Sequence, residues 1–237
     1  MKSSAVEDYV KVIYKLSLEN KPVTPSHVAE HLGVSSAAVT KMVKKLQELK
    51  LVGYVRAKGL KLSPAGQAIA LEVIRHHRLI EIYLTEALGY SWDQVHDEAE
   101  RLELVISEQF EDKIEKLLDF PTHDPHGSPI PTREGQVENP ELAMLADLSP
   151  GQRGVIQRVN DDDPAMLTFL GDLGMYPGTL VEMMAKEPYG GPLRVRVSGK
   201  DHAVGSELAA NVFVSIVEGS ADKISTNETD NNGTEGK

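Results

Sequence analysis

The chain has 237 residues, of which 41% are hydrophobic and 26% charged, a composition typical of a globular protein long enough for two or three domains. It contains no cysteine, which excludes disulfides and thiolate metal sites, and it has no apolar run long enough to span a membrane. Because the N-terminal residues lack the apolar core of a signal peptide, we expect a cytoplasmic protein.

The net charge of −11 is distributed unevenly along the chain. Residues 1–66 contain eleven Lys and Arg against five Asp and Glu, a net charge of +6. Residues 67–145 contain six basic and seventeen acidic residues, a net charge of −11, and residues 146–237 have a net charge of −6. The first segment is therefore expected to attract polyanions and the second to attract cations.

Residues 1–66 predict a winged helix-turn-helix, a DNA-binding domain. The periodicity of apolar residues predicts helices over 5–18, 24–32 and 37–49, followed by strands over 52–55 and 60–62. Pro25 suits a first helical turn, Gly33 ends that helix, and either Ser35 or Ser36 can cap the next one. Helix, glycine turn, helix and basic hairpin, in this order, are the layout of the winged helix-turn-helix.

The DNA contacts are expected from the start of the third helix and from the hairpin. Small residues allow the helix to approach base edges, and basic residues reach phosphates. The predicted contacts are Ser35, Ser36, Ala37, Ala38, Thr40, Lys41, Lys44, Lys45, Arg56 and Lys58. A solvated helix face is the alternative, because each feature alone is common.

The remainder of the chain predicts a mainly α protein with a small β part. Residues 67–140 form a predicted helical metal-binding and dimerisation domain plus a linker, with long helices over 64–88 and 92–118. Residues 148–218 alternate turns with short β-rich runs, which predicts a small β barrel or sandwich with strands over 154–159, 179–184, 193–197 and 211–217. Residues 219–237 are polar and aperiodic, and we expect a disordered tail.

Histidines and carboxylates recur at helical spacing in the acidic segment. His77 and Glu81 are four residues apart and share a helix face, and His96, Glu100 and Glu103 fall on one face of the next helix. Imidazole and carboxylate groups are ligands for Mn, Fe, Co and Zn. The spacing is equally compatible with a solvated acidic face.

Three separated motifs occur in the order found in a known family. Residues 75–81 (RHHRLIE), 95–103 (VHDEAERLE) and 125–131 (PHGSPIP) resemble the diphtheria-toxin-repressor family of metal-dependent regulators, which includes a manganese-responsive branch. Residues 170–178 resemble the SH3-like domain that longer members share with a small iron-transport-associated protein. The resemblance covers about residues 5–218 and implies a homodimer that represses metal-uptake genes by binding double-stranded operator DNA.

The resemblance also implies two metal sites per subunit. Its ancillary-site ligands correspond to His77, Glu81 and His96, and its primary, activating-site ligands to Asp8, Glu100 and Glu103. Hard ligands without sulfur favour Mn²⁺ over softer ions, with Fe²⁺ as the alternative. In such a dimer the metal acts as corepressor by holding two recognition helices about 34 Å apart.

Two departures from the family pattern weaken the expected primary site. Leu104 stands where the family usually has a histidine ligand, and Lys11 replaces a carboxylate of the manganese branch. We therefore expect the ancillary site to fill first. The SH3-like domain of the family can lend polar ligands to that site. Residues 161–163, all aspartates, could serve, but we favour a solvated turn for them. His123 and His126 could also bind metal, but we favour a turn role for both.

Two other functions are alternatives to a metal-dependent repressor. A metal-independent winged-helix regulator, in which the acidic helices only dimerise, stays open because of Leu104 and Lys11. A metallohydrolase is not favoured, because the sequence has no His-Glu-x-x-His motif and no nucleophile placed beside an open metal position. We therefore expect neither an enzyme, nor a small organic substrate, nor a membrane partner.

Overall fold

The computed structural model describes residues 4–19, 21–138 and 140–217, so the tail predicted over 219–237 lies outside the described residues. The first domain contains three helices and a hairpin. They are α1 (Ser4–Ser17), α2 (Pro25–Leu32), α3 (Ser36–Glu48), β1 (Val52–Val55) and β2 (Gly59–Leu62). Their apolar faces enclose one core, in which Val10, Ile13 and Leu46 are fully buried. The winged helix-turn-helix predicted for this segment is confirmed.

The turn chemistry of this domain follows the predicted signals. Thr24 caps α2 by accepting a hydrogen bond from the amide of His27, and Gly33 ends that helix in the left-handed conformation, with φ of 62°. Of the two candidate caps for α3, Ser35 is the one used, because its hydroxyl accepts from the amide of Ala38. These caps fix the angle between α2 and α3.

The second domain consists of α4 (Pro64–Leu88), α5 (Val95–Leu102) and α6 (Glu108–Leu117). The single helix predicted over 92–118 is wrong, because the helical conformation is interrupted between α5 and α6. Ser107 begins a new helix there by accepting a hydrogen bond from the amide of Phe110. The break matters for function, because it places Glu103 at the C-terminal end of α5 and not in the middle of a helix.

The third domain is an antiparallel six-stranded sheet with two short helices. Its elements are β3 (Ala143–Met144), β4 (Arg153–Val159), α7 (Pro164–Asp172), β5 (Leu180–Lys186), β6 (Leu193–Val197), β7 (Lys200–Val204), α8 (Ser206–Ala209) and β8 (Val212–Val217), in the sheet order β3-β8-β4-β5-β6-β7. The SH3-like β domain is confirmed. The sequence analysis missed α7, although Asp163 caps it and Pro164 occupies its first turn, and it also missed β7.

The third domain docks on the second through the segment between them. The Trp92 ring lies 4.7 Å from that of Tyr176, and the amide of Val159 in β4 donates a 2.9 Å hydrogen bond to the carbonyl of His126. Gly127 has φ of 85°, and a Cβ there would lie 1.9 Å from the carbonyl oxygen of Gln157, so only glycine fits. Within the described residues, no helix combines the length and apolar character needed to cross a membrane.

Candidate metal centre

Two histidines and a glutamate meet where α4 packs against α5. His77 and Glu81 lie one turn apart on the same face of α4, and His96 lies in the first turn of α5. Nε2 of His77 is 3.0 Å from Oε1 of Glu81 and 3.2 Å from Nδ1 of His96. The third side, from Nδ1 of His96 to Oε1 of Glu81, is also 3.2 Å. The three atoms form a nearly equilateral triangle.

A fourth candidate ligand comes from the third domain. Asp161 follows β4, and its Oδ2 lies 3.8 Å from Nδ1 of His96. The four residues His77, Glu81, His96 and Asp161 each offer an atom within 4.8 Å of the others. Metal–ligand bonds of about 2.0–2.3 Å put neighbouring ligand atoms of one ion about 3 Å apart. The triangle therefore fits one face of a divalent cation, and two imidazoles with one carboxylate suit Fe²⁺ and Mn²⁺.

Glu103 holds the imidazole of His77 in the orientation that a ligand needs. Nδ1 of His77 donates a 2.6 Å hydrogen bond to Oε2 of Glu103, so Nε2 is the nitrogen that faces Glu81 and His96. A carboxylate that orients a ligating histidine is a regular part of metal sites. Burial alone would lower the pKa of His77, but Glu81 and the hydrogen bond to Glu103 raise it to about 9.

Glu81 faces a second group of potential ligands on its other side. Oε2 of Glu81, Oδ2 of Asp124 and Nδ1 of His126 are buried and have no hydrogen-bond partner among the described residues. Nε2 of His126 donates a 2.7 Å hydrogen bond to the carbonyl of Trp92, which leaves Nδ1 facing Oε2 of Glu81 at 3.8 Å. With Asp161, these residues form a second set whose ligand atoms lie within 4.8 Å of one another. A divalent cation would satisfy three otherwise costly buried atoms.

The pKa values of the second group indicate that its carboxylates need a neighbouring positive charge. Burial and the charge of Glu81 raise the pKa of Asp124 to about 7, even though Oδ2 of Asp124 lies 3.5 Å from the guanidinium of Arg78. Burial alone would lower the pKa of His126, but Glu81 and Asp124 raise it to about 9. Burial would raise the pKa of Glu81, yet His77 and the neighbouring imidazoles keep it well below its usual range. Bound protons thus supply part of the charge that a cation would supply.

The residues predicted for the primary site are arranged differently. Burial and the charge of Glu103 raise the pKa of Asp8. However, Asp8, Glu100 and Glu103 do not form one of the described groups whose ligand atoms lie within 4.8 Å of one another. The ammonium of Lys11 is 2.8 and 2.7 Å from the two oxygens of Glu103 and 3.5 Å from Oε1 of Glu100.

Three candidate ligands were not assigned to the metal site from the sequence. Asp161 and His126 were possible ligands for which a turn role was favoured, whereas Asp161 lies at the group around Glu81 and His126 is fully buried beside it. Asp124 was not considered. The only available signal was the motif at 125–131, which immediately follows Asp124. Leu104 is half-buried and lines a surface pocket beside His76.

The predicted DNA contacts all lie on the outside of the first domain. Ser35, Ser36, Ala37, Ala38, Thr40, Lys41, Lys44, Lys45, Arg56 and Lys58 are exposed. The first eight belong to α3 and its cap, and the last two to the turn between β1 and β2. The buried face of α3 is formed by Val39, Val43 and Leu46, so its opposite face is free to enter a major groove.

Comparison with known proteins places each domain in a known family. Residues 1–60 match the family model of the iron-dependent repressor N-terminal DNA-binding domain, and residues 63–132 that of its metal-binding and dimerisation domain. Residues 143–216 match the FeoA domain. The diphtheria toxin repressor of Corynebacterium jeikeium (strain K411) is 30% identical over 204 residues, which cover 76% of this chain and 85% of that protein.

Other relatives carry the names of both metals. The iron-dependent repressor IdeR of Mycobacterium leprae (strain TN) is 34% identical over 190 residues, covering 74% of this chain and 81% of that protein. A solved structure of a manganese-dependent transcriptional repressor in complex with manganese is 34% identical, with a TM-score of 0.84, and covers 90% of this chain and 100% of its own. That of the manganese regulator SloR is 30% identical, with a TM-score of 0.74, covering 90% and 98%.

These matches confirm the family, the fold class and the non-enzymatic function predicted from the sequence. They do not favour the alternative of a metal-independent regulator, because the matched second domain is a metal-binding one. The chain belongs to the family of metal-dependent transcriptional repressors that includes the diphtheria toxin repressor, and it is a DNA-binding repressor that acts on operator DNA as a dimer.

Proposed function

We propose that His77, Glu81, His96 and Asp161 form the metal-sensing site, and that the sensed ion is Mn²⁺, with Fe²⁺ as the alternative. The observation that carries the proposal is the triangle of ligand atoms with sides of 3.0, 3.2 and 3.2 Å. Nitrogen and oxygen ligands without sulfur favour Mn²⁺ over softer ions. A similar solved repressor is described as a complex with manganese, whereas several sequence relatives are named for iron.

We also propose a second cation beside the first, with Glu81 bridging the two. The support is the set of buried atoms without a partner on Glu81, Asp124 and His126, since oxygens and an unprotonated imidazole nitrogen are what a hard divalent ion requires. Asp161 belongs to both groups and can contribute one oxygen to each. Two cations would offset the negative charges of Glu81, Asp124 and Asp161.

A metal ion at this site would be bound by ligands from both the second and the third domain. The turn that carries Asp161 also contacts the first domain, because Lys15 on α1 donates a 3.3 Å hydrogen bond to Asp162. Two adjacent aspartates of one turn therefore face the metal site and the DNA-binding domain. We propose that ordering this turn favours one orientation of α1, and with it a DNA-competent dimer.

The domain assignments rest on the charge distribution along the chain, and the dimer interface rests on exposed apolar side chains. We propose 1–66 as the DNA-binding domain, 67–140 as the metal-binding and dimerisation domain with its linker, and 148–218 as the SH3-like domain. Phe110, Leu117 and Phe120 are 44%, 66% and 62% exposed, and apolar side chains in this state suit a dimer interface. The proposed targets are metal-uptake genes, and the proposed compartment is the cytoplasm.

Operator binding measured by electrophoretic mobility shift tests the sensing role. We expect retarded DNA in Mn²⁺ and none at the same protein concentration in excess chelator. His96→Ala should remove the response to Mn²⁺, because it deletes one corner of the triangle. Asp97→Ala, an exposed change on the same helix, should retain it. Equal DNA affinity in Mn²⁺ and in chelator would leave only the metal-independent regulator.

A further inference from the structure

The cluster formed by Asp8, Lys11, Glu100 and Glu103 is not used by the proposed metal site. Lys11 and Glu103 are only 6% and 2% exposed, so their ion pair lies in the interior. An ammonium group has three donors, and three carboxylate oxygens lie within 3.5 Å of this one. Two of these contacts are hydrogen bonds to Glu103 and the third is an ion pair with Glu100, so the ammonium of Lys11 is held by two of the carboxylates expected to hold a metal.

We infer that the ammonium of Lys11 is a built-in cation that replaces the activating metal ion expected at this position. A metal ion bound by both oxygens of Glu103 would have to occupy the place where the ammonium lies, 2.7–2.8 Å from those oxygens. Two positive charges cannot share that place, so metal binding would require removal of a buried lysine from its acceptors. The charge of Glu103 is thus offset at every metal concentration.

The ion pair joins the two domains that such a metal would join. Lys11 belongs to α1 of the DNA-binding domain, and Glu103 caps the C-terminal end of α5 in the dimerisation domain. This link is permanent, because Lys11 is covalently part of the chain. Control by metal then passes through another polar contact of α1, the exposed ion pair between Lys15 and Asp162 beside the ligand Asp161.

The number of manganese ions bound per subunit tests the inference on the full chain. Equilibrium dialysis with Mn²⁺ alone should give the same number for wild type and for Asp8→Asn, because Asp8 binds no metal. Lys11→Glu should bind one additional ion, since it replaces the ammonium by a fourth carboxylate. Lys113→Glu, an exposed change on α6, is the matched control and should bind no additional ion.

Operator affinity in saturating Mn²⁺ provides a second readout. Lys11→Met should weaken operator binding about tenfold or more, because Glu103 loses its buried partner. Lys11→Arg should restore most of it, since a guanidinium can pair with both oxygens of Glu103. If Lys11→Met does not fold, as judged by circular dichroism, the ion counts for Asp8→Asn and Lys11→Glu still decide the question.

Loss of one ion in Asp8→Asn, or no gain in Lys11→Glu, would overturn the inference. The interpretation rests on the proposed function only in using Mn²⁺ as the probe, and the two failures are distinguishable. If the proposed sensing site is wrong, wild type binds no ion and His96→Ala changes nothing, whereas Lys11→Glu still gains one. If the role of Lys11 is wrong, wild type already holds an ion that Asp8→Asn removes.

Discussion

Two buried acidic clusters lie on either side of His77, and they meet the same electrostatic problem differently. In one, burial would raise the pKa of Glu103, but the hydrogen bond from His77 and the ammonium of Lys11 at 2.7–2.8 Å lower it. In the other, Glu81 and Asp124 each retain a buried oxygen without a hydrogen-bond partner among the described residues. An ammonium pairs directly with both oxygens of Glu103, whereas the positive charge of the second cluster comes from the imidazole of His126 and from the guanidinium of Arg78, 3.5 Å from Asp124.

This difference indicates which cluster is designed to take up a cation. Buried carboxylates are stable only if a cation, a proton or donor groups neutralise them. In the first cluster, the chain itself supplies a cation to Glu103. The second retains protons instead, because burial and Glu81 raise the pKa of Asp124 to about 7, and Glu81 and Asp124 raise the pKa of His126 to about 9. A metal-sensing site must contain unsatisfied ligand atoms that a bound metal ion can satisfy.

The largest expected effect comes from Glu81, which belongs to both proposed cation positions. Glu81→Gln removes the charge while keeping the shape, so we expect loss of both bound Mn²⁺ ions and of metal-dependent operator binding. Glu86→Gln, five residues along the same helix at an exposed position, should bind Mn²⁺ as wild type does. Unchanged Mn²⁺ binding in Glu81→Gln would show that the cations lie elsewhere.

Lys11→Met should have the next largest effect, on stability without metal. Removing one partner of a buried ion pair costs about 3 kcal/mol in the free energy of unfolding. Lys15→Met breaks the pair between Lys15 and Asp162, whose side chains are 31% and 52% exposed, and should cost about 0.5 kcal/mol. Urea unfolding of both variants in chelator measures the difference. Equal costs would mean that the Lys11 pair adds nothing beyond a surface ion pair.

A smaller effect is expected from pH. Without metal, His77 and His126 hold protons below their pKa values of about 9, and Asp124 does so below about 7. Metal must displace these protons, so Mn²⁺ affinity should fall as pH drops from 9, and more steeply below 7. Each displaced proton weakens binding by about tenfold per pH unit. Isothermal titration calorimetry in buffers of different ionisation enthalpy counts these protons, and a count of zero would contradict the described protonation states.

The sequence predicted those parts of the site that lie on regular helices. His77 and Glu81 were paired by their spacing on one helix. The end of α2 was predicted from Gly33, and the cap of α3 was narrowed to Ser35 or Ser36. The ligands that come from turns could not be found in this way, because no periodicity relates residues 124 and 161 to residue 81. Their proximity depends on how the third domain docks on the second.

Two further features of the structure could not be predicted from the spacing of residues in the sequence. The predicted helix over 92–118 is interrupted because Ser107 offers the backbone a new cap, which places Glu103 at a helix end. Lys11 was recognised as a departure from the family pattern, but its position among the carboxylates follows from the packing of α1 against α4 and the end of α5. The departure looked like a weakened metal site, whereas the geometry assigns it a replacement cation.

Anomalous diffraction at the manganese absorption edge, from crystals of the full chain grown in Mn²⁺, tests the central claim most directly. The account predicts anomalous density within bonding distance of Glu81, bounded by the ligand atoms of His77, His96 and Asp161, with further density on the side of Asp124 and His126. It predicts no anomalous density among Asp8, Glu100 and Glu103, where Lys11 remains in place. A manganese peak bound by Glu103, with the ammonium of Lys11 displaced, would contradict it.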